Sequence, residues 1–473
     1  MMATKGLLMA NNTDLRKSIV KDSIGPGSQG WRNYPVNIAI IFLIGVLVLS
    51  LLVALVYLHM PASKSPSTPK QRVSGVQKKA VATPIPHITR PVYTGPFTNT
   101  WTNIHSFLTF DYKIDNPSAV AQKYDFVWGA NYKNLAAYRA TNPHIVLSYY
   151  FPMHRNHGDF IDTTLGKQQG LDYWRALHPD WVLYKCDRTT PAYEYYDPNM
   201  PFILTDPTIL HWMVQSFAAP AAQYGYDAIA LDNVNMDNMF GACGSYDKNG
   251  QWVQRYTGKT NDPQWQADVA NWMAEMQEAL RHLSKPLLLI PNLDPGSVAI
   301  DSASLQKVLT NSDGVLDESS FSHYGENNLS SGQWLQLVHY VNAVQEQNKP
   351  FFLVNEFQKD IANKDKEWVL ASYLMCKQQV SMVYFALYQA YGRDMQIPEL
   401  DAQIGSPQTQ MYEKQGTYWR DYTNGETLVN PTDTPATIRT DATTAYVDIF
   451  GKSISQTFTL SPHTGKILLL KSH

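Results

Sequence analysis

Eight short runs rich in large apolar and β-branched residues recur along the chain, and helical or turn-forming stretches separate them. They fall at Ile104–Phe110, Asp125–Ala130, His144–Phe151, Tyr226–Asp232, Pro286–Asn292, Gly314–Ser320, Pro350–Glu356 and Ser381–Tyr388. Several are almost continuously apolar, as in Leu287-Leu288-Leu289-Ile290 and Phe351-Phe352-Leu353-Val354. Strands covered on both faces read this way, because neither side of the sheet meets water. Between them lie helix signatures. Asp262–Ser284 sets Trp265, Val269, Trp272, Met273 and Met276 at helical spacing, and Asp206-Pro207 pairs an N-cap with proline at the first helical position. Eight such units predict an α/β fold, a (β/α)8 TIM-like barrel at 96–408, rather than an open doubly wound sheet. No GxGxxG or GxxxxGK[ST] follows any strand, so the usual nucleotide signal of an open sheet is missing. The connection from Pro152 to Gly225 is long enough to form a wall or lid over the barrel mouth.

Beyond about residue 409 the rhythm changes to short alternating runs with turns: Tyr418–Tyr422, Thr427–Asn430, Ala436–Thr440, Tyr446–Phe450, Thr457–Leu460 and Lys466–Leu470. These predict a small C-terminal antiparallel β-domain at 409–473. At the other end, Ile38–Leu58 holds 21 residues without a charge, enough to cross a hydrocarbon core as one transmembrane helix. The expected order is a cytoplasmic tail at 1–35, a membrane anchor at 36–59 and a Pro/Ser/Lys-rich linker at 60–95. Lys64, Lys70, Arg72, Lys78, Lys79 and Arg90 follow the span with no acid among them, so the positive-inside rule leans against an outward barrel. An extracellular barrel in the cell membrane is expected instead on functional grounds, since a surface polysaccharide would be met there.

A net charge of −3 supplies no argument for nucleic acid as a partner. The three cysteines, Cys186, Cys243 and Cys376, have no zinc spacing. Cys376 reads as a buried free thiol. Cys186 and Cys243 fall in loops after the third and fourth strands, where a disulfide is within reach and two free thiols are the alternative.

Barrel chemistry collects at the C-terminal ends of the strands. There the fourth strand, YDAIALDNVN, delivers Asp232 and Asn233, and the fifth ends on Asn292. The sixth, GVLDESSF, reaches Glu318, and the seventh, PFFLVNEF, ends on Asn355 and Glu356. By two-residue alternation Glu318 and Asp317 face opposite ways, and Glu318 is the favoured inward acid. Two such carboxylates are what glycoside hydrolysis requires: Asp232 as nucleophile or base, Glu318 as general acid/base, and no cofactor. Glu356 could act catalytically, bind substrate or form a salt bridge, and pairing it with Asp232 is a second arrangement. Tyr149, Tyr150, Trp181, Tyr184, Tyr388 and Tyr391 are candidate platforms for sugar rings, with core packing as the bland alternative.

The strand YDAIALDNVN and the later DGVLDES resemble the endo-α-1,4-polygalactosaminidase-like barrels, and more closely the bacterial barrels classed only as hypothetical glycosyl hydrolases. The resemblance covers Phe107 to Tyr391 and implies catalytic acids at Asp232 and Glu318. Ala228 departs from it, since such strands often carry glycine after the Asp. Alternatives are a metal-dependent polysaccharide deacetylase, for which only His154-Arg155-Asn156-His157-Gly158-Asp159 offers ligands, and a tethered carbohydrate-binding barrel without catalysis. No GxSxG elbow is present for a serine esterase. Neither calcium-like loop, Asp232–Asp237 or Ser245–Gly250, has the spacing an EF-hand needs.

Overall fold

The computed structural model describes residues 92–155, 170–192, 200–318, 320–325, 329–358, 360–387 and 392–471. The expected tail, membrane helix and most of the linker lie outside these residues, as do Tyr388, Tyr391, His157 and Asp159. Among the described residues no helix is long and apolar enough to cross a membrane.

Eight parallel strands form the central sheet in sequence order: β1 (Leu108–Thr109), β2 (Phe126–Trp128), β3 (Val146–Pro152), β4 (Ala228–Asn235), β5 (Leu288–Asp294), β6 (Val315–Asp317), β7 (Phe351–Phe357) and β8 (Ser381–Leu387). The ring is nearly closed, the Val383 amide reaching the His105 carbonyl at 3.0 Å across the seam. Each of the eight expected runs overlaps one of these strands, and β3, β4, β5 and β7 extend past the expected ends. β1 is much shorter than its run: Ile104–Phe107 lies outside the strand, and at its other end Phe110 turns to φ +59° and ends the extended backbone. All seven residues of β7 are buried, which explains its unbroken apolar run.

The interior is filled from below. Phe352 of β7 meets Phe126 of β2 at 4.5 Å and Phe107 at 5.3 Å between ring centroids, and Phe97 stands 5.1 Å from both Phe126 and Phe352. This aromatic plug sits near the strands' N-terminal ends, so polar side chains can gather only at the opposite mouth.

The long β3–β4 connection carries the helix Pro207–Met213, started by Asp206 accepting from the Thr208 amide at 2.8 Å. It then runs through a wider turn at Val214–Ala218 into Ala219–Tyr224 and ends at Gly225, whose φ of +94° needs glycine. The same connection gives one strand, Tyr184–Lys185, to a three-stranded antiparallel sheet. The others, Ala242–Tyr246 and Trp252–Gln254, come from the β4–β5 connection. Asn249-Gly250 forms their turn, with Gly250 at φ +73°. A Cys186–Cys243 disulfide staples the two connections at a Cα separation of 5.0 Å. Gly258, at φ +75°, lies against it: a Cβ there would stand 2.5 Å from one sulfur and 2.7 Å from the other. The wall over the mouth is therefore built from two loops, which the sequence alone did not foresee.

After the barrel come a five-stranded antiparallel sheet, in the order Tyr412–Lys414, Thr417–Tyr422, Gly425–Asn430, Thr464–Leu470 and Tyr446–Asp448, and a pair Ala436–Arg439 with Thr457–Leu460. The sheet packs on the helix Asn363–Cys376 between β7 and β8. There Gly465 lies so close to Ala371 and the Glu367 carbonyl that a Cβ would overlap both. Glu367 receives Lys466 at 2.9 Å, and Lys466 also reaches Asp448 at 3.1 Å. Arg420, fully buried, donates through Nη1 to the carbonyls of Leu374, Met375 and Lys377 at 2.9 to 3.1 Å, and through Nε to Thr409 at 3.0 Å. It thus caps a barrel helix from the neighbouring sheet. Cys376, the last residue of that helix, is a buried free thiol.

Candidate active site

The site grows from the end of β4. Pairing of β4 with β5 shifts register between Leu231 and Val234, and Asn233 there takes φ +60°. A bulge of this kind re-aims side chains, and a left-handed Asn in a strand is a local strain that the surroundings must hold. The imidazole of His154, fully buried just after β3, lies against the Asn233 backbone, and burial pushes its pKa down to about 3. His154 is therefore a neutral prop beneath the bulge, close to the rings of Phe240 and Trp265.

Four donors converge on Asp232. Tyr150 Oη lies 2.7 Å from Oδ2 and Asn233 Nδ2 3.1 Å from the same oxygen. The Asn233 amide reaches Oδ1 at 2.8 Å, and Asn292 Nδ2 reaches Oδ1 at 3.0 Å. Every one of these contacts asks Asp232 to accept. The Asn292 nitrogen also donates to Glu318 Oε2 at 3.0 Å. One amide on β5 therefore joins the acid of β4 to the acid that follows β6. Both carboxylates are half-buried.

Most sequence candidates now have a place. Asp232, Asn233, Asn292 and Glu318 are brought together. Asp317 turns away, as alternation predicts: its charge acts on Tyr340 of the surrounding helix Ser331–Glu346, raising the phenol's pKa further beyond the effect of burial. Asn355 is fully buried and does not enter the mouth; its Oδ1 accepts from the Ser322 amide at 3.1 Å and supports the loop after Glu318. Glu356 shares the inward parity of Phe352, is 2 % exposed, and adds its charge to the field around Tyr384. Tyr149 faces the helices, packed against Phe151 and Tyr226, so the aromatic at the mouth is its neighbour Tyr150. Trp181 sits in the wall, stacked on His178 at 4.0 Å and Trp174 at 5.5 Å. Tyr388 is outside the described residues.

Sequence reasoning did not give Tyr150 or His154 a part at Asp232. The signal for Tyr150 was the parity of β3: Phe151 stacks on Phe217 of the helical layer, which leaves Tyr150 pointing inward. Among the described residues no group of three His, Cys, Asp or Glu side chains is placed to hold a metal ion.

A parallel eight-stranded barrel with acids gathered at its mouth is an architecture that barrel glycosidases use. Residues 139–426 match the model of hypothetical glycosyl hydrolase family 15, and the chain belongs to that family. It is a glycoside hydrolase. The match supports the glycosyl-hydrolase part of the resemblance drawn from the β4 and β6 sequences and says nothing of polygalactosaminidase. No curated protein matches the sequence. Among solved structures, a family 39 glycoside hydrolase from Bacteroides cellulosilyticus is similar at 9% identity and TM-score 0.43, over 79% of this chain and 82% of that one. A maltogenic α-amylase from Thermotoga neapolitana is similar at 10% identity and TM-score 0.39, over 78% and 88%. These likenesses are distant, and the family assignment rests on the sequence match.

Proposed function

We propose that the protein cleaves a glycosidic bond with retention of configuration, Asp232 being the nucleophile and Glu318 the acid/base. The observation that carries this is the shared amide of Asn292. Two oxygens, each 3.0 Å from one nitrogen, can be no more than about 6 Å apart, and about 5 Å when each accepts one hydrogen of the planar NH2. Retaining enzymes hold their carboxyl groups about 5–5.5 Å apart and inverting ones roughly 6.5–9.5 Å to admit a water, and the close approach of these two oxygens supports the shorter spacing. Asp232 attacks the anomeric carbon while Glu318 protonates the departing oxygen, leaving a glycosyl ester on Asp232. Glu318, now a carboxylate, takes a proton from water as the water's oxygen displaces Asp232. Four donors on Asp232 suit a group that serves as a carboxylate and then leaves as one. Proton NMR of the first product formed, before mutarotation, is expected to show the anomer of the substrate; the opposite anomer would overturn the assignment.

The substrate is a carbohydrate polymer on the outer side of the membrane, reached from an anchor at Ile38–Leu58. Support comes from the disulfide between two mouth loops, a bond that oxidising compartments permit and the cytosol does not maintain. Protein extracted from cells with thiols trapped at lysis should show one free thiol, Cys376. Three free thiols would place the domain inside instead.

A further inference from the structure

Three aromatic rings lead away from Asp232 on the side opposite Glu318. Tyr150, bonded to Asp232, stands 5.1 Å from Phe110, and Phe110 stands 5.7 Å from Tyr112. Exposure rises along the row. Tyr150 and Phe110 are half-buried and Tyr112 is 55 % exposed, one of few large apolar side chains left so open among the described residues. The row is built, not incidental. Phe110 turns to φ +59° at the end of β1, and its ring lies over Gly129, where a Cβ would come within 2.7 Å of it. Trp128 braces Phe110 and Tyr150 edge-on, at 5.3 and 5.7 Å, and is itself held across the barrel by a bond from its indole to the Ile290 carbonyl at 3.3 Å. The Tyr112 ring rests on Gly392, at φ +80°, where a Cβ would press within about 3 Å of it.

Core packing does not account for an exposed tyrosine at the end of a row whose other end touches the nucleophile. We infer that Phe110 and Tyr112 form glycone subsites, which hold the sugars on the non-reducing side of the bond that is cut. This rests on the retaining reading above. Glu318 protonates the departing oxygen, so the leaving part of the substrate lies toward β6. The part that stays on Asp232 extends the other way, over β3 and β1, where these rings are. Aromatic rings take the apolar C–H face of a pyranose, and the ring spacing suits successive sugar units of one chain. The ligand class is thus a linear pyranoside polymer with at least one sugar beyond the one attacked, and the products are oligosaccharides rather than single sugars.

The test uses Asp232→Asn, which binds without turnover, on arrays of linear hexasaccharides: α- and β-1,4-linked glucose, β-1,4-linked N-acetylglucosamine and α-1,4-linked galactosamine. Removing the ring with Tyr112→Ala in that background is expected to weaken binding of the recognised hexasaccharide about tenfold, as loss of one stacking contact would. Tyr112→Trp should restore it. Phe110→Ala should weaken binding further, with thermal unfolding measured alongside to confirm a folded barrel. Equal hexasaccharide affinity with and without the Tyr112 ring overturns the subsites while leaving the glycosidase reading intact. If Asp232→Asn binds none of these chains, the linear pyranoside subsites fall, while the catalytic reading stands or falls on the turnover of Asp232 and Glu318 variants.

Discussion

Asp232→Asn and Glu318→Gln are each expected to lower kcat on a natural glycan by about a thousandfold or more, which is about 4 kcal/mol of lost transition-state stabilisation. Both substitutions keep size and shape, but Asp232→Asn turns an NH2 toward donors that Asp232 now satisfies, so thermal unfolding should fall modestly with the barrel still folded. The two losses should differ in kind. Without Asp232 no glycosyl-enzyme forms, and every substrate suffers. Without the Glu318 proton, a dinitrophenyl glycoside whose leaving group needs no acid should still react quickly in the first step and then stall at hydrolysis, giving a burst. Near-normal turnover in both variants would remove these residues from the chemistry. Normal turnover in Glu318→Gln with collapse in Glu356→Gln would move the acid/base to β7. Asn292→Ala takes away the amide that spaces the two acids, and a fall in kcat with little change in KM is expected there.

Arg420→Ala should be the costliest single change remote from the mouth, on the order of 3 kcal/mol or more. The guanidinium is fully buried and satisfies three carbonyls at the end of helix Asn363–Cys376 together with one from Thr409. Truncation strands those carbonyls in an apolar setting and leaves a cavity as well. Arg420→Met separates the two effects, filling space without donating. Denaturant unfolding reads the result, and a change below about 1 kcal/mol would show that Arg420 is not a cap of consequence. Lys377 beside it has its pKa pushed down to about 7, by burial first and by the Arg420 charge second. An unfolded lysine titrates near 10.4, so between about pH 7 and pH 10 the unfolded chain binds the extra proton. Stability contributed by this group therefore rises with pH across that window, and Lys377→Met should flatten the slope.

Much of the fold was legible because a parallel strand buried on both faces leaves no polar residue to interrupt it. β7 and β5 announce themselves so; Asp232 follows as the first acid after its apolar strand, and Glu318 as the second after its own, separated from Asp317 by alternation. Parity was harder. In Val146–Pro152 every position is large or apolar except Ser148, so nothing local says that Tyr150 rather than Tyr149 turns inward; the side is set by contacts with other layers. The bulge at Asn233 was equally hidden, because it arises from a register shift against β5. Helix Asn363–Cys376 gave no clear apolar stripe, since the barrel covers one face and the later sheet the other. From Glu367 to Cys376 every residue is buried. The Asn292 bridge joins residues 60 and 26 positions apart, a distance over which no periodicity speaks.

The sheet over that helix has a bearing on how the protein is made. Lys466 joins Glu367 across 99 residues, so when the helix leaves the ribosome its outer face has no partner, and it waits while the whole strand set from Tyr412 onward is synthesised. Vectorial synthesis thus yields a barrel with all eight strands present but one apolar helix flank open, a form that chaperones and proteases recognise. Frameshifts or stops before Thr464 should be cleared from the cell even though every residue at the mouth has already been translated. Completion of the barrel's outer layer thus depends on the last strand of the chain to be made.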